Sequence, residues 1–342
     1  MELATTLEYA ENDPRKAVEE IVRLEKAGLD AVWVAEAYGF DSPTTMGYLA
    51  ARTERVKIGS YIINVYSRTP ALIAQTAAGL DALSGGRVLL GLGASGPQVV
   101  EGWHGRPYDK PLGRTRETVE QCRRIWRREV IDHHGIVDMP LPPEKGGKLG
   151  KPLKFLNHPV RSEIPIHIAA LGPANVRMTA EIADGWLPHL FIPEKAGQIW
   201  GSALTEGQAR RPAERGNLQM VAGSLLAVSE DAAAARDLLR PMIALYLGGM
   251  GAKGKNFYND LARAYGYDEA AEKIQDLYLS GKKREAEAAV PDELTELVSL
   301  CGPESYVRER IEAFRAAGVT QLNVRVVDPD PARLVEKVKG WL

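Results

Sequence analysis

Cysteine is scarce in this chain. Cys122 and Cys301 are the only two in 342 residues, too few for a disulfide framework and without the spacing of a metal site. They read as reduced packing residues, which points to a cytoplasmic protein. A basic excess is missing as well. The 43 Lys and Arg against 45 Asp and Glu leave a net charge of −2, which argues against a dedicated nucleic-acid binder. No apolar run approaches the ~20 residues needed to cross a bilayer. The N-terminal "MELATTLEYAENDPRK" lacks the basic stretch and apolar core of a secretory leader, so none is expected. The six histidines (His104, His133, His134, His158, His167 and His189) form neither H-x-H nor H-E-x-x-H, so no protein-bound metal is expected. There is no G-x-S-x-G elbow and no Walker A loop, hence no ready hydrolase or kinase apparatus.

What is present is a rhythm of short apolar strand, polar turn and amphipathic helix. Strands are expected at Leu3–Tyr9, Asp30–Ala37, Val56–Val65, Arg87–Leu92, Ile164–Leu171, Trp186–Phe191, Leu218–Val228 and Gln321–Val327. Between them, Asp13-Pro14, Thr69-Pro70 and Asp330-Pro331 carry the N-cap and first-turn proline that open helices. Gly28 and Gly85 stand where helices should stop. Eight β-then-α units imply a parallel sheet with right-handed crossovers. The length fits one α/β domain over residues 1–342, a (β/α)8 TIM-like barrel with insertion segments. A doubly wound sheet would show G-x-G-x-x-G in its first turn, whereas "EYAENDPRK" has no glycine. Two segments interrupt the rhythm. Residues 131–160, with five prolines, read as a lid-like insert. Residues 231–317 read as an extended helical region broken at Gly248-Gly249 and Gly302-Pro303.

A barrel places its site at the C-terminal ends of its strands. That selects Glu8, Glu36 with Tyr38, Asn64, the turn Gly93-Ala94-Ser95, the turn Gly172-Pro173-Ala174-Asn175, and His189. The stretch "GGRVLLGLGASG" spends glycines at a strand end, where either the chain turns or a ligand lies close to the backbone. In "AALGPANVRM" a strand runs through Gly172 into a helix begun by Pro173, and the free N–H groups of such a start favour an anion.

Beyond these local readings, four segments carry a family likeness. "YIINVYSRTPALIAQTAAGLDALSGGRVLLGLGASGPQVVEGWHG", "KPLGRTRETVEQCRRIW", "IAALGPANVRMTAEIADGWLP" and "ALYLGGMG" resemble the bacterial luciferase-like superfamily. They are most similar to its branch that uses the deazaflavin coenzyme F420, to which methylenetetrahydromethanopterin reductases belong. The resemblance implies a TIM-like barrel, a homodimer, and the deazaflavin ring at the barrel mouth. It implies contacts to the cofactor from Glu36, from Ser60, Tyr61, Ile62 and Asn64, and from Gly93, Ala94 and Ser95. Ala170, Leu171, Gly172, Pro173, Ala174 and Asn175 would receive its phosphate end. A non-prolyl cis peptide within Ser60–Ile62 is implied too. The chain departs from some members at Glu36-Ala37, where they carry an acidic residue followed by His. It also departs at Ser95-Gly96, where the sugar-phosphate dehydrogenases carry Glu, so glucose 6-phosphate is not the expected substrate.

The expected function is therefore hydride transfer between coenzyme F420 and a small organic substrate, with Glu36 and His189, and then Glu8, as candidate catalytic residues. The alternatives are an FMN-dependent luciferase-like monooxygenase and a non-catalytic F420- or flavin-binding protein.

Overall fold

The computed structural model of the chain describes residues 1–9 and 12–342. Eight parallel strands form the expected barrel: β1 (Glu2–Leu7), β2 (Ala31–Val34), β3 (Lys57–Ser60), β4 (Val88–Gly93), β5 (Ile166–Ala169), β6 (Gly185–Leu187), β7 (Gln219–Ala222) and β8 (Gln321–Asn323). Each pairs with the next, and β8 closes on β1 with Glu2 opposite Gln321. The helices that pack outside include α1 (Pro14–Lys26), α2 (Ser42–Arg52), α3 (Pro70–Ser84), α4 (Pro111–Trp126), α5 (Pro173–Ile182), α6 (Pro193–Gln208), α7 (Glu304–Ala316) and α8 (Pro331–Lys339). Their starts follow the chemistry read from the sequence. Asp13, Thr69 and Asp330 accept from the third residue onward, with proline in the first turn of each helix. Gly85 ends α3 in the left-handed region at φ 66°, which only glycine enters without steric cost.

The barrel interior is a separate small core of Ala4, Ala31, Trp33, Leu89, Leu187 and Val221, against which Tyr61, Ile62 and Ala169 pack. Size alternates across it. A Cβ on Gly59 would stand 2.3 Å from the Trp33 ring, and one on Gly185 would stand 2.0 Å from the His167 ring. Glycine is thus required at both positions so that two large rings can fill the lower barrel. Trp33 is held there by its indole N–H, which donates to Gln321 Oε1 at 2.6 Å.

Three expectations about elements are revised. The strand expected over Leu218–Val228 is two, β7 and Leu225–Val228, and the last strand likewise divides into β8 and Arg325–Val326. A Cβ on Gly223 would meet the Asn323 carbonyl at 2.2 Å, so the two chains cross there at backbone contact and then leave the barrel. Beyond the crossing they form a three-stranded parallel sheet with Leu300–Gly302, a strand hidden inside the region expected to be helical. The rest of 231–317 is short helices around one π-helical turn, Leu245–Gly249. Residues 131–160 include all but Val130 of a small antiparallel hairpin, Val130–Ile131 with Leu153–Lys154. Glu117 on α4 ties this segment down by accepting the N–H groups of Ile136 and Val137 at 2.9 and 3.0 Å, so the contacts of the insert run to the flank of α4.

Candidate functional site

The strand ends and the helical insert bring together residues from five separate stretches of sequence. Glu8 and Tyr9 follow β1, Tyr61 follows β3, and His189 follows β6. The helical insert adds Tyr246 from the π turn and Tyr258 from helix Phe257–Ala264. The His189 ring lies against Tyr246 with centroids 4.3 Å apart, and Tyr258 stands edge-on to both at 5.5 and 4.6 Å. Tyr246 is aimed this way by the turn that carries it. A Cβ on Gly248 or Gly249 would stand within 2.5 Å of the Tyr278 side chain. The glycine pair that looks in sequence like a mere break therefore lets Tyr278 pack under the turn while Tyr246 faces the barrel.

The electrostatics of this cluster follow from desolvation, although Glu8 itself is exposed. Desolvation raises the Glu8 carboxyl above its ordinary range, only partly opposed by the charge of Arg325. Desolvation also pulls His189 down to about 4, so its imidazole is neutral at physiological pH. The Tyr258 hydroxyl is pushed up to about 12, and those of Tyr61 and Tyr246 are also raised, chiefly by burial. Tyr9 is raised mainly by burial, with a hydrogen bond from Tyr246 opposing. Among the described residues this cluster is therefore polar, and the Glu8 carboxyl is biased towards keeping its proton.

Glu36 does something else. Its carboxylate takes both Arg68 guanidinium donors at 2.7 and 2.9 Å, and also the Ser42 N–H at 2.9 Å and hydroxyl at 3.2 Å. Both oxygens are occupied, and the side chain is 5% exposed. It braces the start of α2 against the loop before α3. Proton exchange there would first have to open the ion pair, so the position at a strand end does not by itself make Glu36 an acid.

The glycines at the end of β4 also have packing reasons. A Cβ on Gly91 would lie 1.8 Å from the Ser60 carbonyl, and one on Gly93 would lie 2.8 Å from the Ile62 side chain. Ser60 Oγ donates to the Gly91 carbonyl and accepts its N–H, both at 2.9 Å. The peptide bond Tyr61–Ile62 is cis, within the stretch named from the resemblance. Ala94 follows β4 directly, and Ser95 sits at φ 57°.

At the end of β5, Ala170 is buried beside Leu171, and α5 begins at Pro173 with Gly172 as its N-cap residue. The Asn175 and Val176 N–H groups both turn onto the Gly172 carbonyl at 3.0 Å. No heavy atom lies within 4 Å of where a Gly172 Cβ would be, so the approach to this turn is open. Ala174 also lines a cavity of about 250 Å³ between α4 and α5, with Arg116, Arg177 and Arg210 around it.

Three residues at the strand ends keep a buried polar atom without a partner: Asn64 Nδ2, Asn175 Oδ1 and His189 Nε2. Buried polar groups in folded proteins are nearly always hydrogen-bonded, so these positions fit a polar ligand laid across the mouth. Sequence reasoning reached all three, together with Glu8. It missed Tyr9, Tyr246 and Tyr258 as neighbours of His189, because the insert's placement over the barrel leaves no periodic signal.

The chain was compared with known proteins. The luciferase-like monooxygenase family matches residues 1–321. A Mycobacterium tuberculosis protein provisionally named coenzyme F420-dependent oxidoreductase Rv3520c is 40% identical over 97% of each chain. The 5,10-methylenetetrahydromethanopterin reductase of Archaeoglobus fulgidus is 28% identical over 92% of this chain and 90% of its own. The structure of the coenzyme F420-dependent tetrahydromethanopterin reductase of Methanopyrus kandleri superposes with a TM-score of 0.78. That match is 23% identical and covers 98% of this chain and 96% of the other.

Proposed function

The chain belongs to the luciferase-like monooxygenase family of enzymes, and we propose that it is an oxidoreductase that binds coenzyme F420 at the barrel mouth and exchanges a hydride with a small organic substrate. The relative that is 40% identical carries F420 in its name, which supports the cofactor. The observation that carries the chemistry is Glu8, an exposed carboxyl that desolvation at the mouth makes harder to ionise, within electrostatic range of Tyr9, Tyr61 and Tyr246.

When bound, the deazaflavin supplies two-electron hydride chemistry, since carbon in place of the flavin's N5 disfavours one-electron and oxygen steps. The residues of this chain supply the rest. The unpartnered Asn64 Nδ2 and His189 Nε2 offer hydrogen bonds that orient polar atoms in the mouth. The open turn at Gly172–Asn175 and the first N–H groups of α5 suit a phosphate. The cavity beside Ala174 adds Arg210 to Arg116 and Arg177, which are paired with Glu181 and Glu206. Glu8 holds at its carboxyl oxygen the proton that accompanies hydride delivery to a C=O or C=C bond, and takes one up in the reverse direction. Tyr9 and Tyr246, hydrogen-bonded beside it, help keep water out of the site.

The same reading includes a homodimer. The exposed face of α3 carries Leu72, Gln75, Gly79 and Leu83. The helix's one charged residue, Asp81, is buried and paired with Arg161. An uncharged face centred on a glycine suits a self-complementary contact with a second copy.

The test is direct. Purified chain is titrated with F420 and with FMN by fluorescence, and turnover is followed with and without oxygen. F420 binding with oxygen-independent turnover is expected. FMN binding with oxygen consumption would instead favour a monooxygenase.

A further inference from the structure

Four large aromatic side chains are strongly exposed among the described residues: Tyr38 (49%), Phe40 (62%), Trp103 (67%) and Phe257. Three of them stand on two loops at the C-terminal face of the barrel. Tyr38 and Phe40 lie between β2 and α2, and Trp103 lies between β4 and α4. Tyr38 and Trp103 meet across the loops with centroids 6.4 Å apart and planes tilted by 51°. The tilt leaves much of each ring face open. An exposed indole and phenol forgo apolar burial that a ring of this size normally gains. Tyr38 is also within electrostatic range of Tyr9 and of Tyr278 in the insert, which puts the pair on the same side of the barrel as the Glu8 cluster.

We infer that Tyr38 and Trp103 form an aromatic clamp that selects substrates with a flat apolar body, such as an aryl ring joined to a small carbonyl or alkene head. This rests on the proposed site at the barrel mouth. The head reaches the Glu8–His189 cluster, and the flat body lies against the two rings. The clamp determines specificity and performs no chemistry. Offset-stacked or edge-on ring contacts give it preference for planar over compact aliphatic substrates.

The probes are 2-acetonaphthone and cyclohexanone, titrated calorimetrically into the chain with and without F420. Wild type should bind 2-acetonaphthone more tightly. Trp103→Ala and Tyr38→Ala should each weaken that ketone roughly 2- to 12-fold and leave cyclohexanone unchanged, while Trp103→Phe should retain most of the affinity. Equal weakening of both ketones, no weakening, or no binding of 2-acetonaphthone to wild type would overturn the clamp. F420 titration of the same samples separates the two ideas. If wild type fails to bind F420, the cofactor reading falls, and the ketone titration of the free chain still decides the clamp. Melting temperatures of the variants should match wild type, because both side chains are exposed.

Discussion

Glu36→Gln keeps the size of the side chain and removes its charge, leaving the Arg68 guanidinium with no counterion. Removing one partner from a buried ion pair costs about 3–5 kcal/mol. Two features reduce the figure here. The Arg68 side chain is 15% exposed, so water screens part of the stranded charge, and glutamine still accepts one guanidinium N–H or the Ser42 N–H. A loss of about 2–3 kcal/mol is expected, or roughly 3–4 °C in Tm for a chain of this length. The assay is chemical denaturation with a double-mutant cycle. Arg68→Met alone should destabilise, and the double variant Glu36→Gln/Arg68→Met should cost at least ~1 kcal/mol less than the sum, because neither charge is then stranded. Turnover of the folded fraction, measured well below Tm, should fall far less than in a Glu8 variant. Unchanged stability in Glu36→Gln together with a turnover loss of tenfold or more would refute the bracing role and return Glu36 to the chemistry.

Glu8→Gln should lower kcat by about 10²–10⁴-fold, the range of a lost general acid, in stopped-flow F420 oxidation. Because the folded Glu8 pKa is raised from 4.5, the wild type should lose stability relative to Glu8→Gln as pH climbs from that value through the raised one. His189 runs the other way. With 6.5 as its ordinary value and about 4 when folded, the unfolded chain takes up a proton that the native ring refuses, so stability should fall as pH drops from about 6.5 to 4. His189→Gln should flatten that slope in urea titrations, with buried His167, also held at about 4, retaining its share. Ala174→Asp should weaken F420 binding at least roughly tenfold, partly relieved by salt, and equal affinities in fluorescence titration would place the phosphate elsewhere. Gly79→Arg should convert the dimer to a monomer in light scattering, and a dimer that survives would move the interface off α3.

The barrel was legible because each of its units carries its own local physics. Apolar stretches of four to six residues, Asp-Pro and Thr-Pro helix starts, and Gly85 at a helix end act within a few residues of sequence. The order of eight such units leaves few topologies. The strand ends then nominated Glu8, Asn64, Asn175 and His189 by position alone. Local pattern could not say which of two buried-looking glutamates is free. Glu36 and Glu8 both follow apolar strands, and only the fold brings Arg68 and Ser42 to Glu36 while leaving Glu8 among tyrosines. Nor could it explain Gly59, Gly185 or Gly91, whose missing side chains answer to Trp33, His167 and Ser60, partners 18 to 31 residues away in sequence. The division of β7 and β8 at Gly223 and the hidden strand Leu300–Gly302 depend on two chains crossing at backbone contact. The clustering of Tyr246 and Tyr258 on His189 depends on how the insert folds back over the barrel. Elements arise from short-range propensity and periodicity, which sequence displays. The charge state and company of a side chain come from what the fold brings against it, and only tertiary structure decides that.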